Sequence, residues 1–348
     1  VDGNSYTATF TANDGIDATG SVSVGTGYTD ASGNTGTAGS DNVTIDTLNP
    51  TVTVNVVDAA LSDGDASSNV TFEFSENVTG FAIADVAAAN GALSNFQTVD
   101  GNSYTATFTA ADSVETTGSV TVNAGYTDAA GNTGIGGSNS VTVDTLNPTA
   151  DIVDVTPDPR NTNAGTVTIS FSEAVSGVDI SDFSLTRDGS GVNIAGLSGS
   201  GSSYTLDLSS VPAANGSHVL TLTASGSGIQ DTAGNSLAAD ASDTFAVDTM
   251  APTPVITASQ FSPTSESPIN VSVDFGEPVN GFLTDDLSIS NGTAANFATA
   301  DNRVFTFDVI PVADGTVTVN IAARAAQDAA GNDSIAATQF SIESVRTQ

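Results

Sequence analysis

The opening fifty residues of the chain return almost unchanged from Val99 onward, and this long-period repeat restricts the possible folds more than any other feature. The run Val1-Asp2-Gly3-Asn4-Ser5-Tyr6-Thr7-Ala8-Thr9-Phe10 reappears from Val99 to Phe108. Both copies close on Asp-Thr-Leu-Asn-Pro, at Asp46–Pro50 and Asp144–Pro148, and a looser close is Asp248-Thr249-Met250-Ala251-Pro252. Two further signatures keep the phase. Asp-x-x-Gly-Asn runs from Asp30 to Asn34, Asp128 to Asn132, Asp231 to Asn235 and Asp328 to Asn332. Phe-x-Glu-x-Val-x-Gly begins at Phe74, Phe171 and Phe275. A period of about 100 residues is the size of one β-sandwich and is far too long for a solenoid unit.

Residues 51–146 serve as the template for one period. Thr51–Val57 alternates as strand A, and Asn69–Phe74 as strand B with Val70, Phe72 and Phe74 inward. Gly80–Ala89 gives a short turn and strand C, and Ala92–Val99 strand D. Strand E is Ser103–Thr109, with Tyr104, Ala106 and Phe108 on one face. Ser119–Tyr126 reads as strand F, with Val120 and Val122 inward, and Asn139–Val143 as strand G. Loops of Asp, Gly, Asn, Ser and Thr separate them. No segment keeps helical periodicity over three turns. The pattern predicts an all-β chain of antiparallel β-sandwiches.

Phase sets the domains. Residues 1–46 hold only the E, F and G portion of one domain, and complete domains run 47–144, 145–248 and 249–348. Half a sandwich exposes its core, so the chain is expected to come from a longer array. Its last domain lacks the Asp-Thr-x-x-Pro close, so the array is expected to stop there.

Charge removes whole classes of partner. Asp and Glu total 40 against five Arg and no Lys, a formal net charge of −35. Nucleic acid and anionic membranes both need clustered basic residues, so neither nucleic-acid binding nor membrane insertion is expected. No apolar run approaches the ~20 residues of a spanning helix. Acidity with few aromatics can signal disorder, but 39% of the residues are hydrophobic and they fall in the alternating runs. The acids therefore belong in loops, where they attract cations. Without Cys there are no disulfides, and without Lys there is no Lys–Asn cross-link.

Topology decides which acids meet. In an up-and-down sandwich the B–C, D–E and F–G loops return to the pole that strand A leaves. Glu76 lies in the B–C loop, Asp100 in D–E, and Asp128 and Asn132 in F–G, while the preceding linker brings Asp46 to the same pole. The repeat adds Asp144 with Glu173, Asp231 and Asn235, then Asp248 with Glu277, Asp328 and Asn332. Asp85, Asp182 and Asp286, in the turn entering strand C, form a second tier. Asp63-Gly64-Asp65, in the A–B loop at the other pole, reads as solvated. Converging carboxylates repel one another, and burial would protonate some of them. A hard cation taking six to eight oxygens at about 2.3–2.6 Å resolves the conflict, and calcium has that preference. Zinc and copper want Cys or His, and the chain has no Cys and one His. Each motif also has a plain structural reading. Asp-x-x-Gly-Asn makes a good turn, Glu can end a strand in solvent, and Asp-Thr-x-x-Pro can brace a linker. Recurrence of all three in one phase, without basic partners, favours the metal.

Taken together, Val143-Asp144-Thr145 with Pro148, Phe74-Ser75-Glu76-Asn77-Val78-Thr79-Gly80-Phe81 and Tyr126-Thr127-Asp128-Ala129-Ala130-Gly131-Asn132 resemble the bacterial immunoglobulin-like domains of giant adhesins secreted by the type I system. The resemblance covers essentially the whole chain. It implies tandem Ig-like sandwiches in an extended array, Ca2+ at the junctions, and a spacer that holds an adhesive region away from the cell. The ligands it implies are Asp46, Asp144 and Asp248, Glu76, Glu173 and Glu277, and the Asp/Asn pairs. Glycine-rich calcium nonapeptides and a ligand-binding module are missing from the pattern. The expected place is extracellular, at the bacterial surface or in a secreted matrix, with calcium ions and neighbouring domains of the same chain as partners. The alternative is a subunit of a self-assembling filament or surface layer, partnered by copies of itself.

An enzyme is not expected. His218 follows Asn215-Gly216-Ser217, reads as a surface-turn residue and has no counterpart in the other repeats. No insertion interrupts the repeat to build a cleft. A carbohydrate-binding module would need exposed aromatics, and the chain has no Trp, while Tyr104 and Tyr126 read as core.

Overall fold

The computed structural model describes residues 3–345; Val1, Asp2 and residues 346–348 lie outside the described residues. Two compact units are present, Val1–Asn147 with Ala233–Asn235, and Pro148–Thr232 with Ser236–Gln348. Helical structure among the described residues is limited to single 3-10 turns at Ile83–Asp85, Ile180–Asp182 and Thr284–Asp286.

In the first unit, β1 (Asp17–Val24) and β2 (Gly39–Asp46) pair as an antiparallel hairpin. A complete sandwich follows: β3 (Val52–Val56), β4 (Ala60–Ser62), β5 (Ser67–Phe74), β6 (Val86–Ala89), β7 (Gly91–Thr98), β8 (Ser103–Ala110), β9 (Glu115–Val122) and β10 (Gly137–Asp144). One sheet has the order β3-β5-β8-β7 and the other β4-β10-β9-β6. Alternate residues of a pleat share a face, which is why Val70, Phe72, Phe74, Tyr104, Ala106, Phe108, Val120 and Val122 are all buried between the sheets. Phe81 lies edge-on to Phe72, Phe74 and Tyr104. The copies Tyr6 and Phe10 are exposed.

Several features depart from the sequence reading. Strand β9 starts at Glu115 and ends at Val122, instead of spanning Ser119–Tyr126. Its first half is polar and small and so reads as loop. Yet Gly118 faces the core so closely that a Cβ there would meet Phe108 at 2.9 Å and Val141 and Val143 at 3.1 Å. Tyr126 lies past the strand, buried, and its hydroxyl donates to the Ile135 carbonyl at 2.6 Å. Strand β4 carries no periodic signal because it is three residues long; it pairs parallel to β10, with Leu61 opposite Val143. The turn after it is not simply solvated, since the Asp63 backbone N–H donates to Asn235 Oδ1 at 2.8 Å.

The second unit holds two sandwiches. In one, β11 (Ala150–Ile152), β12 (Thr166–Val175), β13 (Phe183–Arg187), β14 (Ser190–Val192), β15 (Leu197–Asp207), β16 (Gly216–Leu222) and β17 (Ala241–Val247) form sheets β11-β12-β15 and β14-β13-β16-β17. In the other, β18 (Val255–Ala258), β19 (Ile269–Asp274), β20 (Leu287–Ser290), β21 (Gly292–Thr299), β22 (Val304–Pro311), β23 (Gly315–Ile321) and β24 (Phe340–Ser344) form β18-β19-β22-β21 and β20-β23-β24. Each closes on its own core, around Ile169, Leu206 and Leu220 in the first and Ile269, Val309 and Val319 in the second. His218 is no surface residue. The turn ends at Gly216, β16 begins there, and the pleat sends His218 inward with Leu220 and Leu222, leaving it 2% exposed.

The Asp-Thr-x-x-Pro linkers are anchored at both ends. Thr47 donates its N–H to the Ile16 carbonyl at 2.8 Å and its hydroxyl to the Asn13 carbonyl at 3.0 Å, while the Pro50 carbonyl accepts the Ile135 N–H at 2.8 Å. Thr145 is buried; its hydroxyl donates to the Ala111 carbonyl at 2.8 Å and accepts the Val114 N–H at 3.1 Å. Thr249 gives both its N–H and its hydroxyl to Asn215 Oδ1, and Pro252 accepts the Ile335 N–H. Thr145→Val keeps the shape but strands a half-buried donor and acceptor, and is expected to destabilise the first sandwich by about 1 kcal/mol or more in urea unfolding.

Candidate metal centre

Three loops build the first cluster. Asp46 ends β2, Glu76 follows β5, and Asp128 opens the turn between β9 and β10. One carboxylate oxygen of each lies within 4.8 Å of the others, and Asp128 is buried. In the second unit Asp248, Glu277 and Asp328 repeat the arrangement with the same limit, and Asp328 is the buried member. The ion pairs Arg303–Asp274 and Arg324–Asp333 involve none of these acids.

The asparagines organise the carboxylates. The backbone N–H of Asn132 donates to Asp128 Oδ1 at 2.8 Å, and its amide nitrogen donates to Asp128 Oδ2 at 2.7 Å and to Asp46 Oδ1 at 3.2 Å. Asn332 holds Asp328 in the same way, at 2.8 and 2.7 Å, and donates to the Asp248 carbonyl at 2.8 Å. In this geometry both amides turn nitrogen, not oxygen, toward the acids.

Electrostatics sets the acids against one another. Burial pushes Glu76 above the ordinary Glu value, and the charges of Asp128, Asp46 and Asp17 push it further. Glu277 is raised by burial and then by Asp328 and Asp248. Burial also acts to raise Asp128, but the side-chain and backbone hydrogen bonds from Asn132 outweigh it and hold this carboxyl low. One member of the cluster is thus fixed as an anion beside a glutamate that resists ionising. Three convergent carboxylates, without a base among them and with lone pairs left over, fit a hard oxygen-seeking dication.

The other expected ligands divide by position. Asp144 ends β10 in the first unit, where the Asn235 amide donates to its carbonyl at 2.9 Å and its carboxylate at 3.3 Å. Glu173 lies in β12, and Asp231 is buried in the turn after β16. The second-tier acids are not members of these three-acid groups. Asp85, Asp182 and Asp286 each close the 3-10 turn before a strand, accepting the N–H of Ala82, Asp179 and Leu283 at 2.8–2.9 Å. Their fixed distance from Glu in sequence reflects a recurring turn. Asp100 likewise accepts the Asn102 N–H in its own turn. Asp17 went unnoticed in the sequence; it faces Asp46 across the hairpin, a relation visible only from the register.

Among the described residues no helix is long and apolar enough to cross a membrane. No curated protein matches the chain. Among solved structures it is similar to the Escherichia coli adhesin FdeC, with 14% identity over 85% of this chain and 96% of that one and a TM-score of 0.30. It is similar to Yersinia pseudotuberculosis InvD, with 14% identity, 84% and 97% coverage and a TM-score of 0.33. A tetra-tandem repeat from the extending region of a large adhesion protein gives 18% identity, 95% and 83% coverage and a TM-score of 0.29. Likeness at that level carries no assignment, which rests on sequence families instead. One model of a bacterial Ig-like domain matches residues 46–145 and 248–344, and a second of the same description matches 137–249. The chain therefore belongs to the bacterial Ig-like domains, in tandem copies.

Proposed function

We propose that this chain is a non-catalytic spacer of a bacterial surface or secreted-matrix protein, and that calcium stiffens the junctions between its domains. The observation that carries the reading is the convergence of Asp46 with Glu76 and Asp128, and of Asp248 with Glu277 and Asp328. In the first set the linker acid comes from the β1–β2 hairpin and the other two from the sandwich that follows; in the other set the linker acid follows β17 of one sandwich and the other two come from the next. A single ion held by all three would join consecutive sandwiches. Asp144, Glu173 and Asp231 occupy the same motif positions in sequence.

When bound, calcium supplies a shared positive centre that replaces mutual repulsion of the carboxylates. The protein's part is positioning. Asn132 and Asn332 hold the buried Asp as an anion, Thr47 and Thr249 fix the residue next to the linker acid, and Pro50 and Pro252 fix the far end. Extracellular modules bind calcium with dissociation constants on the order of 10⁻⁴–10⁻³ M, so such junctions would be soft inside a cell and firm outside it.

Calorimetric titration of the whole chain should show saturable calcium binding. Small-angle scattering should show a maximum dimension that falls, and a wider spread of shapes, when chelator is added, because unscreened acidic junctions bend and splay. A maximum dimension unchanged by chelator would overturn the clasp.

A further inference from the structure

His218 is the chain's single histidine, and it occupies a core position that its neighbours fill with apolar groups. Its cross-strand partners are Phe245 of β17 and Arg187 of β13. The imidazole stacks on the Phe245 ring, with centroids 5.1 Å apart and 8° between planes. Nδ1 lies 3.2 Å from the Gly216 carbonyl; a carbonyl only accepts, so Nδ1 carries the proton and Nε2 is the free base. A residual cavity of about 10 Å³ beside the ring, at the lower limit for a single water, is lined by apolar side chains such as Leu185, Leu208, Val211 and Val247 and by one polar residue, Asn163, whose amide donates to the Ser209 carbonyl at 2.8 Å. The equivalent inward residues are Gly118 in the first sandwich, opposite Val141, and Val317 in the third, opposite Ile342.

The charges around the ring are already engaged or unfavourable. Arg187 is positive. Asp188, in the following turn, accepts the Ser217 N–H at 2.9 Å. Asp243, two residues before Phe245 on β17, accepts the Val155 N–H at 3.0 Å. Beyond β17, Asp158 accepts the Ala246 N–H at 2.8 Å, and the Arg160 N–H donates to the Ala246 carbonyl. Burial depresses the affinity of the ring for a second proton; the Gly216 carbonyl and Asp188 oppose this and Arg187 reinforces it, with burial the largest influence.

We propose that His218 makes the sandwich of β11 to β17 the acid-sensitive link of the array, because a proton on its free nitrogen places a cation among apolar side chains and favours opening of that one domain. The face of Phe245 offsets part of the cost, and desolvation outweighs it. Free imidazole titrates near 6.5, and here the folded value is lower. The stability contribution is therefore complete above about pH 6.5 and is lost as pH falls below it, by up to about tenfold in the opening equilibrium per unit until the folded value is reached.

Hydrogen exchange on the whole chain, resolved by peptide and corrected for intrinsic rates, tests this between about pH 7.5 and about pH 5. The opening equilibrium of β16 and β17 should rise by up to about thirtyfold, well beyond any change in β9–β10 or β23–β24. His218→Val, which copies the residue at position 317, should remove the excess. An equal response in all three sandwiches, or an excess that persists in His218→Val, overturns the proposal. Should that variant fail to fold, the single imidazole resonance of the unaltered chain decides: a midpoint below about 6.5 supports the proposal, and one at or above it overturns it.

Discussion

Phe72→Ala is expected to cost the first sandwich about 3–5 kcal/mol. Phe72 is fully buried, edge-on to Phe81 at 5.7 Å and tilted against Phe96 at 6.3 Å. Truncation removes both the transfer free energy and two aromatic contacts, and β5 and β8 hold the sheet too firmly to collapse into the void. The effect should appear in urea unfolding of β5–β8 followed by peptide-resolved exchange, and should leave β16–β17 and β22–β23 unchanged. A loss under about 1 kcal/mol would mean that the core repacks freely.

Glu277→Gln should act with opposite sign in the two metal states. Without calcium, Glu277 is an acid whose folded value is raised by burial and by Asp328 and Asp248. Such a group binds its proton more tightly when folded, so it destabilises the fold above that folded value, and the cost is relieved as pH falls through it. The neutral amide removes the cost at pH 7, and thermal midpoints in chelator should rise by about 2–4 °C. With calcium present the same change removes a charged ligand and should weaken binding at that junction on the order of tenfold. Asp128 runs the other way, since hydrogen bonds from Asn132 hold its carboxyl low; its contribution is present at neutral pH and is lost as pH falls through the folded value. Destabilisation by Glu277→Gln in both states would contradict the electrostatic account.

Much of the fold was legible because the signal is periodic. Val70, Phe72 and Phe74, then Tyr104, Ala106 and Phe108, alternate without interruption, and all are buried. Where periodicity lapses the sequence misleads. Gly118 looks like loop because a missing side chain gives no signal, although Phe108 fills its place. His218 looked like turn because Asn215-Gly216-Ser217 is turn chemistry, and only pairing with Phe245 sets its phase. The three-acid clusters were legible because the topology brings their loops to one pole. For the second tier the structure adds a turn-capping role, since each Asp accepts an N–H of its own 3-10 turn, and spacing within a repeat does not distinguish a ligand from a turn cap. The anchoring Thr of each linker was overlooked, as its role depends on a carbonyl about thirty positions earlier, Ala111 for Thr145.

The double anchoring of the linkers also limits how a gene for such a chain can change length. A codon inserted between Thr47 and Pro50 would force one anchor to let go and would pull Asp46 away from Glu76. Copying one whole period leaves every anchor and every acid with a partner. Growth and loss should therefore proceed in full steps, by recombination between near-identical segments such as those beginning at Val1 and Val99.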